Sequence, residues 1–306
     1  MRRVPHARRA RLLAQAKINL SLRVLAREAG GHHQLETIFQ RLTLGDLVTL
    51  ELTNGERSLD VTGAETGPVE RNLAWRAAIS YAERTGWPQG WRIEVEKRIP
   101  VGGGMGGGSA DAGAVLRLLD YLNPNPVGEA ARLELAAGLG ADVPFLACES
   151  PLALAWGRGE RMLALPPLPA RPVLLWRYPF PVSTAAAFAW LAADREQRSS
   201  RPVAELLTPK SLASWPRVAA ISVNDLEAPV FAQYPELAAG LESLKHHSNG
   251  PHWQLVRMSG SGSTLFAIAP GEEAGGSVPA ASEGASAPRA ELASTAVRVE
   301  EVELTE

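Results

Sequence analysis

Between residues 100 and 111 the chain reads Pro-Val-Gly-Gly-Gly-Met-Gly-Gly-Gly-Ser-Ala-Asp, with six glycines among the seven residues from Gly102 to Gly108. Glycine lets backbone N–H groups approach an anion without side-chain obstruction, and a helix starting just beyond adds unpaired donors and a partial positive charge. A strand-like alternation precedes the run, with Trp91, Ile93 and Val95 between charged residues, and a helical pattern follows over about Ser109 to Tyr121. Strand, loop and helix in that order predict a phosphate cradle, with Ser109 capping the helix or touching a phosphate or Mg²⁺. A glycine run between ordered elements can also be a plain flexible loop. Two other phosphate-loop readings fit less well. Gly102, Gly104 and Gly107 satisfy G-x-G-x-x-G, but the preceding strand alternates with charge instead of being apolar throughout, and no clear second strand ending in an acid follows. A Walker A loop requires Gly-Lys-Ser/Thr, and no lysine stands at this loop's end.

The rest of the chain narrows the partners. With 306 residues, 45% of them hydrophobic, it can bury a core and form one large or two average domains. A formal net charge of -2 provides no field for a nucleic-acid backbone, and no run of about 20 apolar residues is present to span a bilayer. Small molecules are the expected partners, in a cytoplasmic setting. Cys148 is the one cysteine, and the pairs His32-His33 and His246-His247 lack metal-site spacing, so neither a disulfide framework nor a protein zinc site is expected. Five arginines and no acid between Met1 and Ala16 predict a loose basic leader. Arginines number 27 against four lysines, so each lysine asks for its own reason, Lys17 first.

Alternation over Leu20–Val24 and Leu47–Leu52, continued by Arg57–Val61, predicts an antiparallel sheet in the first half. Asn72 is a plausible cap for a helix over Leu73–Arg84. A second helical pattern at Glu129–Gly138 leads to a turn at Gly140-Ala-Asp-Val-Pro144. Pro166–Pro172 resembles a linker. A strand at Val173–Tyr178, helices within Thr184–Leu244 and strands at Trp253–Met258 and Thr264–Ala269 form a second α+β unit. Division at residues 1–165 and 166–306 is expected. The Gly, Ala, Ser, Pro and Glu of Ala269–Ala293 predict a mobile segment, placed chiefly near 270–293. No internal repeat is visible.

The glycine loop, Lys17 and Asp142 together resemble the GHMP kinases, whose third glycine motif looks like Ser259-Gly-Ser-Gly-Ser263. The narrower resemblance is to the diphosphocytidyl-methylerythritol kinases. It rests on Ala16-Lys-Ile-Asn-Leu20, Gly31-His-His-Gln-Leu-Glu-Thr37, Gly140-Ala-Asp-Val-Pro-Phe145 and Asn224-Asp-Leu-Glu227, and runs from about Ala14 to Ile268. It implies an α+β, two-domain GHMP kinase fold: a ribosomal-protein-S5-like first domain and a ferredoxin-like α+β second domain. The implied activity is transfer of the γ-phosphoryl group of ATP, carried with Mg²⁺, to a small alcohol bearing a cytidine diphosphate group, by a monomer or homodimer.

By the same resemblance Asp142 and Lys17 are the catalytic pair, although an Asp beside Gly-Ala is by itself more often a turn residue. ATP contacts fall to Pro100, Val101, Gly102, Gly103, Gly104, Met105, Gly106, Gly107, Gly108, Ser109 and Ala110. Asn19, His32, His33, Thr184, Phe188, Gly260, Ser261 and Gly262 border the second substrate. His33 would read the cytosine edge, and the base would lie between His32, which stands where the family usually has Tyr, and Phe188. From its own surroundings Phe188 could equally be a core residue.

Overall fold

Every second residue from Ala10 to Val24 is buried, which makes the start of the chain one long strand, β1 (Arg9–Arg27), with its even-numbered side chains in the core. The computed structural model describes residues 7–27, 33–65, 67–197, 207–208, 210, 212–246, 252–272 and 287–305. Of the basic leader expected to Ala16, the part from Arg9 on is therefore strand. Arg9 and Arg11 occupy its outer face and meet Glu94 and Glu303 at 3.3 and 2.8 Å. The first six residues lie outside the described ones.

β1 is antiparallel to β2 (His33–Thr53), whose two halves pair with different partners. Leu47–Thr53 runs beside β4 (Gly90–Glu96), and Leu35–Gln40 runs beside β5 (Leu152–Gly157). β3 (Arg57–Thr62) lies parallel to β4, and β6 (Arg161–Ala164) closes a hairpin with β5. The buried Trp91, Ile93 and Val95 of β4 meet the helices that cover this sheet. These are α1 (Leu73–Thr85), α2 (Gly107–Leu122), α3 (Gly128–Ala137) and α4 (Val143–Ala147). The Asn72 side chain caps α1 by accepting the Ala74 N–H at 2.9 Å.

After the extended 166–171 connection, β7 (Pro172–Arg177) opens a second, antiparallel sheet with the order β10-β7-β9-β8. Its other strands are β8 (Leu255–Met258), β9 (Thr264–Ile268) and β10 (Arg289–Ser294). Among the described residues four helices lie between β7 and β8: α5 (Thr184–Gln197), α6 (Trp215–Ile221), α7 (Glu227–Gln233) and α8 (Pro235–Lys245). Side chains of α5, α7 and α8 form a second core with β7, β8, β9 and the end of β1. The segment expected to be mobile to Ala293 thus ends in a strand from Arg289 onward, while residues 273–286 lie outside the described ones. The last strand, β11 (Glu303–Thr305), returns to the first sheet and pairs with Arg9–Arg11. Among the described residues no helix is long and apolar enough to cross a membrane.

Candidate active site

The odd-numbered face of β1 changes character at its middle, where Gln15, Lys17, Asn19 and Ser21 are polar yet buried. Burying a polar face is unfavourable unless partners satisfy it. Here the partners come from the glycine loop, the neighbouring strand β2, the start of α4 and, for Gln15, the backbone near Arg298. Register shifts between Gln15/Lys17 and Asn19/Ser21 place a bulge on each side of Lys17–Asn19, re-aiming these side chains out of the regular ladder. The Lys17 ammonium then donates to Asn19 Oδ1 at 2.7 Å and to Gly104 O at 3.0 Å. It stands 3.3 Å from Asp142 Oδ2 and 5.6 Å from the centre of the Phe39 ring. Asn19 in turn donates to Thr37 Oγ1, so its amide serves both to hold Lys17 and to brace the neighbouring strand.

Asp142 reaches Lys17 because it is the residue at which α4 begins. Pro144 sits in the first turn of α4, where its missing N–H costs nothing. The turn expected at Gly140–Pro144 is thus a helix start. Arg41, buried in β2, locks the far end of α4 by donating to Phe145 O at 2.7 Å and Cys148 O at 3.0 Å. Lys17 has only 4% of its side chain exposed and Asp142 has 31%, so the pair presents the carboxylate outward and the ammonium behind it.

The glycine loop passes over this pair. Gly102, Gly104 and Gly106 have φ of 74°, 75° and 72°, an alternation that builds backbone concavities for anions. At Gly104 a Cβ would stand 2.1 Å from Ser259 O, and at Gly106 it would press on the Lys17 stem at 3.1 Å. Helix α2 starts at Gly107, two residues earlier than the sequence suggests, with Ala110 N donating to Gly106 O. Ser109 is therefore within the first turn and is not the cap, which is Gly106.

Together these elements surround a cleft of about 480 Å³. Pro100 through Ser109 line it, with Lys17, Asn19, Asp142, Thr184, Phe188, Gly260 and Ser261. Ala110 is turned into the core and does not line it; Gly262 and His33 are also off its wall. Thr184 and Ser261 share a hydroxyl contact of 3.0 Å. Phe188 stacks on His33, with ring centroids 4.6 Å apart and planes at 18°. His32, expected opposite Phe188, lies outside the described residues.

Sequence reasoning missed a second buried ionic group under the same loop. Lys97 Nζ lies 2.5 Å from Asp46 Oδ2 and 2.7 Å from Asp111 Oδ2, and Asp46 also accepts the N–H groups of Arg98 and Ile99. Lys97 and Asp111 line the cleft, while Asp111 Oδ1 is buried without a hydrogen-bond partner. Burial pushes the Asp111 carboxyl up to about 7, with Lys97 opposing and Asp46 adding to the rise. The scarcity of lysine that singled out Lys17 applied equally to Lys97.

Residues 72–150 match the GHMP kinases N terminal domain, a span that holds the loop and Asp142. The chain is 38% identical over 265 residues to the 4-diphosphocytidyl-2-C-methyl-D-erythritol kinase of Parvibaculum lavamentivorans, covering 85% of this chain and 89% of that one. It is also 38% identical to the enzyme of the same name from Moorella thermoacetica, covering 84% and 89%. A crystal structure of 4-(cytidine 5'-diphospho)-2C-methyl-D-erythritol kinase superposes with a TM-score of 0.68 at 35% identity, over 85% of this chain and 90% of that one. Homoserine kinase from Cytophaga hutchinsonii superposes over 99% of both chains with a TM-score of 0.69 but 16% identity, a likeness of fold alone.

Proposed function

Because the chain belongs to the family of 4-diphosphocytidyl-2-C-methyl-D-erythritol kinases, we infer that it transfers the γ-phosphoryl group of ATP to the 2-hydroxyl of 4-diphosphocytidyl-2-C-methyl-D-erythritol, giving the 2-phosphate and ADP. The observation that carries this reading is the Lys17–Asp142 pair, 3.3 Å apart, on the cleft floor beneath an anion-binding loop. Phosphoryl transfer has a loose transition state that asks for positioning and charge neutralisation more than for a strong base. Asp142 orients the alcohol and accepts its proton late in the transfer. Lys17 fixes Asp142 and, through its contact with Gly104 O, ties the carboxylate to the loop that seats the phosphates. The loop's backbone donors and the start of α2 take up phosphate charge.

Among the described residues no group of three or more His, Cys, Asp or Glu could hold a metal ion, so no all-protein cage is built. Mg²⁺ arriving on ATP needs only one or two protein oxygens, and Ser109 and Asp142 offer such hard donors in the cleft. There it would neutralise phosphate charge. Thr184, Ser261 and Phe188, which stacks on His33, also line the cleft, where an aromatic face suits a cytosine. The test is ADP release, with ATP and Mg²⁺, in the presence of the cytidyl substrate, mevalonate or homoserine. Release with the cytidyl compound alone supports the assignment; release only with another alcohol overturns the substrate.

A further inference from the structure

Helix α5 carries both Thr184 and Phe188 into the cleft, yet it is thinly anchored. Among its described residues only Ala187 and Leu191 are buried in the second core. Thr184, Phe188, Leu191 and Arg195 follow the i, i+4, i+7, i+11 spacing of one helix stripe, so Arg195 stands two turns, about 10 Å, beyond Phe188 on the same side. At that end Arg195 Nη2 donates to Asp225 Oδ2 at 2.9 Å. The same carboxylate oxygen accepts the Val24 N–H at 2.8 Å, where the β1–β2 register shifts between Val24 and Ala26. Asp225 is itself fixed, because its N–H donates to Leu22 O and its neighbour Asn224 forms an isolated bridge with Leu22. Asn224 also donates both amide hydrogens, to Met258 O and Gly260 O, at 2.8 and 2.9 Å. One short segment therefore fastens α5, the end of β1 and the third glycine turn to each other.

We propose that Arg195 and Asp225 are positioning residues for the cytidyl substrate, setting the seat of α5 and thereby the place of Phe188 and Thr184 against the β1–β2 wall. The pair touches no reacting atom, and its substrate class rests on the function inferred above. A carboxylate oxygen held by two donors, one of them charged, resists displacement more than an ordinary surface pair, although a third of the Arg195 side chain is open to water. Loosening it frees α5 at its far end while leaving the glycine loop, Lys17 and Asp142 in place.

The experiment compares the parent, Arg195→Ala, Arg195→Lys, Asp225→Asn and the Arg195→Ala/Asp225→Asn double variant. Steady-state constants are measured for both substrates, and amide hydrogen exchange is followed by mass spectrometry on the whole chain. Expected for Arg195→Ala is a KM for the cytidyl substrate raised on the order of tenfold, with kcat and the KM for ATP within about twofold of the parent. Arg195→Lys should fall between, and the double variant should be no worse than Asp225→Asn, because both changes cut one contact. Exchange should quicken over 184–195 more than over α2. An unchanged KM for the cytidyl substrate, an equal rise for ATP, or exchange in α5 no faster than elsewhere overturns the proposal. If the parent does not use the cytidyl substrate, the function falls, while the exchange measurement still decides whether Arg195 seats α5.

Discussion

At the scale of single residues, the cleft holds two carboxylates with different surroundings. Asp142 faces the cleft with Lys17 behind it, so replacing it by Asn keeps shape and removes charge. Asp142→Asn should fold normally and bind ATP within about threefold of the parent, yet lose turnover by about 10²- to 10⁴-fold, as read by ADP release and calorimetric titration. Asp111 is different, since two buried carboxylates share the one Lys97 ammonium. Its carboxyl rises to about 7 in the folded protein chiefly through burial, from an ordinary value of 3.8. The native state then holds a proton that the unfolded chain has already released between those values. Stability from this group is full below pH 4 and is lost as pH climbs through about 7. Asp111→Asn should flatten that decline, so thermal melts at pH 5 and pH 8 should lie closer together than in the parent. Glu227, also raised by burial, acts in the same direction in both proteins and cancels in the comparison. A variant whose melts stay as far apart as the parent's would show that Asp111 titrates normally.

At the scale of elements, the glycine loop matters for what it touches as much as for what it can bind. Gly104 has φ of 75°, and a methyl group there would sit 2.1 Å from Ser259 O, a backbone atom that cannot swing aside. Ser259 Oγ also donates to Gly104 O at 2.9 Å, and Thr264 N donates to Gly103 O at 3.3 Å. The glycine loop and the Ser259–Ser263 turn are thus one packed unit spanning both sheets. Gly104→Ala should weaken ATP binding at least tenfold and lower the melting temperature by several degrees, through positive φ and overpacking together. Titration of ATP and a thermal melt check this; a normal ATP Kd would separate the loop from nucleotide binding.

The loop itself was plain in the sequence because glycine runs have few other uses, and β4 and α1 were plain through alternation and a cap. β5 was not, because Leu152–Gly157 is apolar on both faces and has no period to read. The opening of β1 was hidden by its arginines, though Ala10, Leu12 and Ala14 alternate between them. β10 was hidden because an exposed edge strand of Ala and Glu looks like the low-complexity residues before it. Partners far apart in sequence, such as Lys97 with Asp46 or Arg195 with Asp225, leave no local pattern to detect.

At the scale of the whole molecule, the chain closes on itself. After β10 it crosses from the second sheet to the first, where Leu42 bridges Thr295 and β11 covers the edge of β1 at Arg9–Arg11. On the way Gln15 exchanges bonds with the backbone of Arg298 and Glu300. Arg117 of α2, its guanidinium held down to about 10 chiefly by burial, donates to Glu300 O at 2.7 Å. Removing residues 297–306 would uncover the β1 edge and leave a buried charge without that acceptor, a loss typically of about 1–3 kcal/mol for the acceptor alone. For a chain of this size that corresponds to a melting temperature lowered by roughly 2–5 °C. None of these residues lines the cleft, so turnover per folded molecule well below the melt should stay within about twofold of the parent. Calorimetry and ADP release on the truncated protein separate the two effects. An unchanged melt would mean that the first sheet is complete without its last strand, and a lost turnover in a folded protein would mean that the return strand reaches the site through α2, the helix that the glycine loop opens.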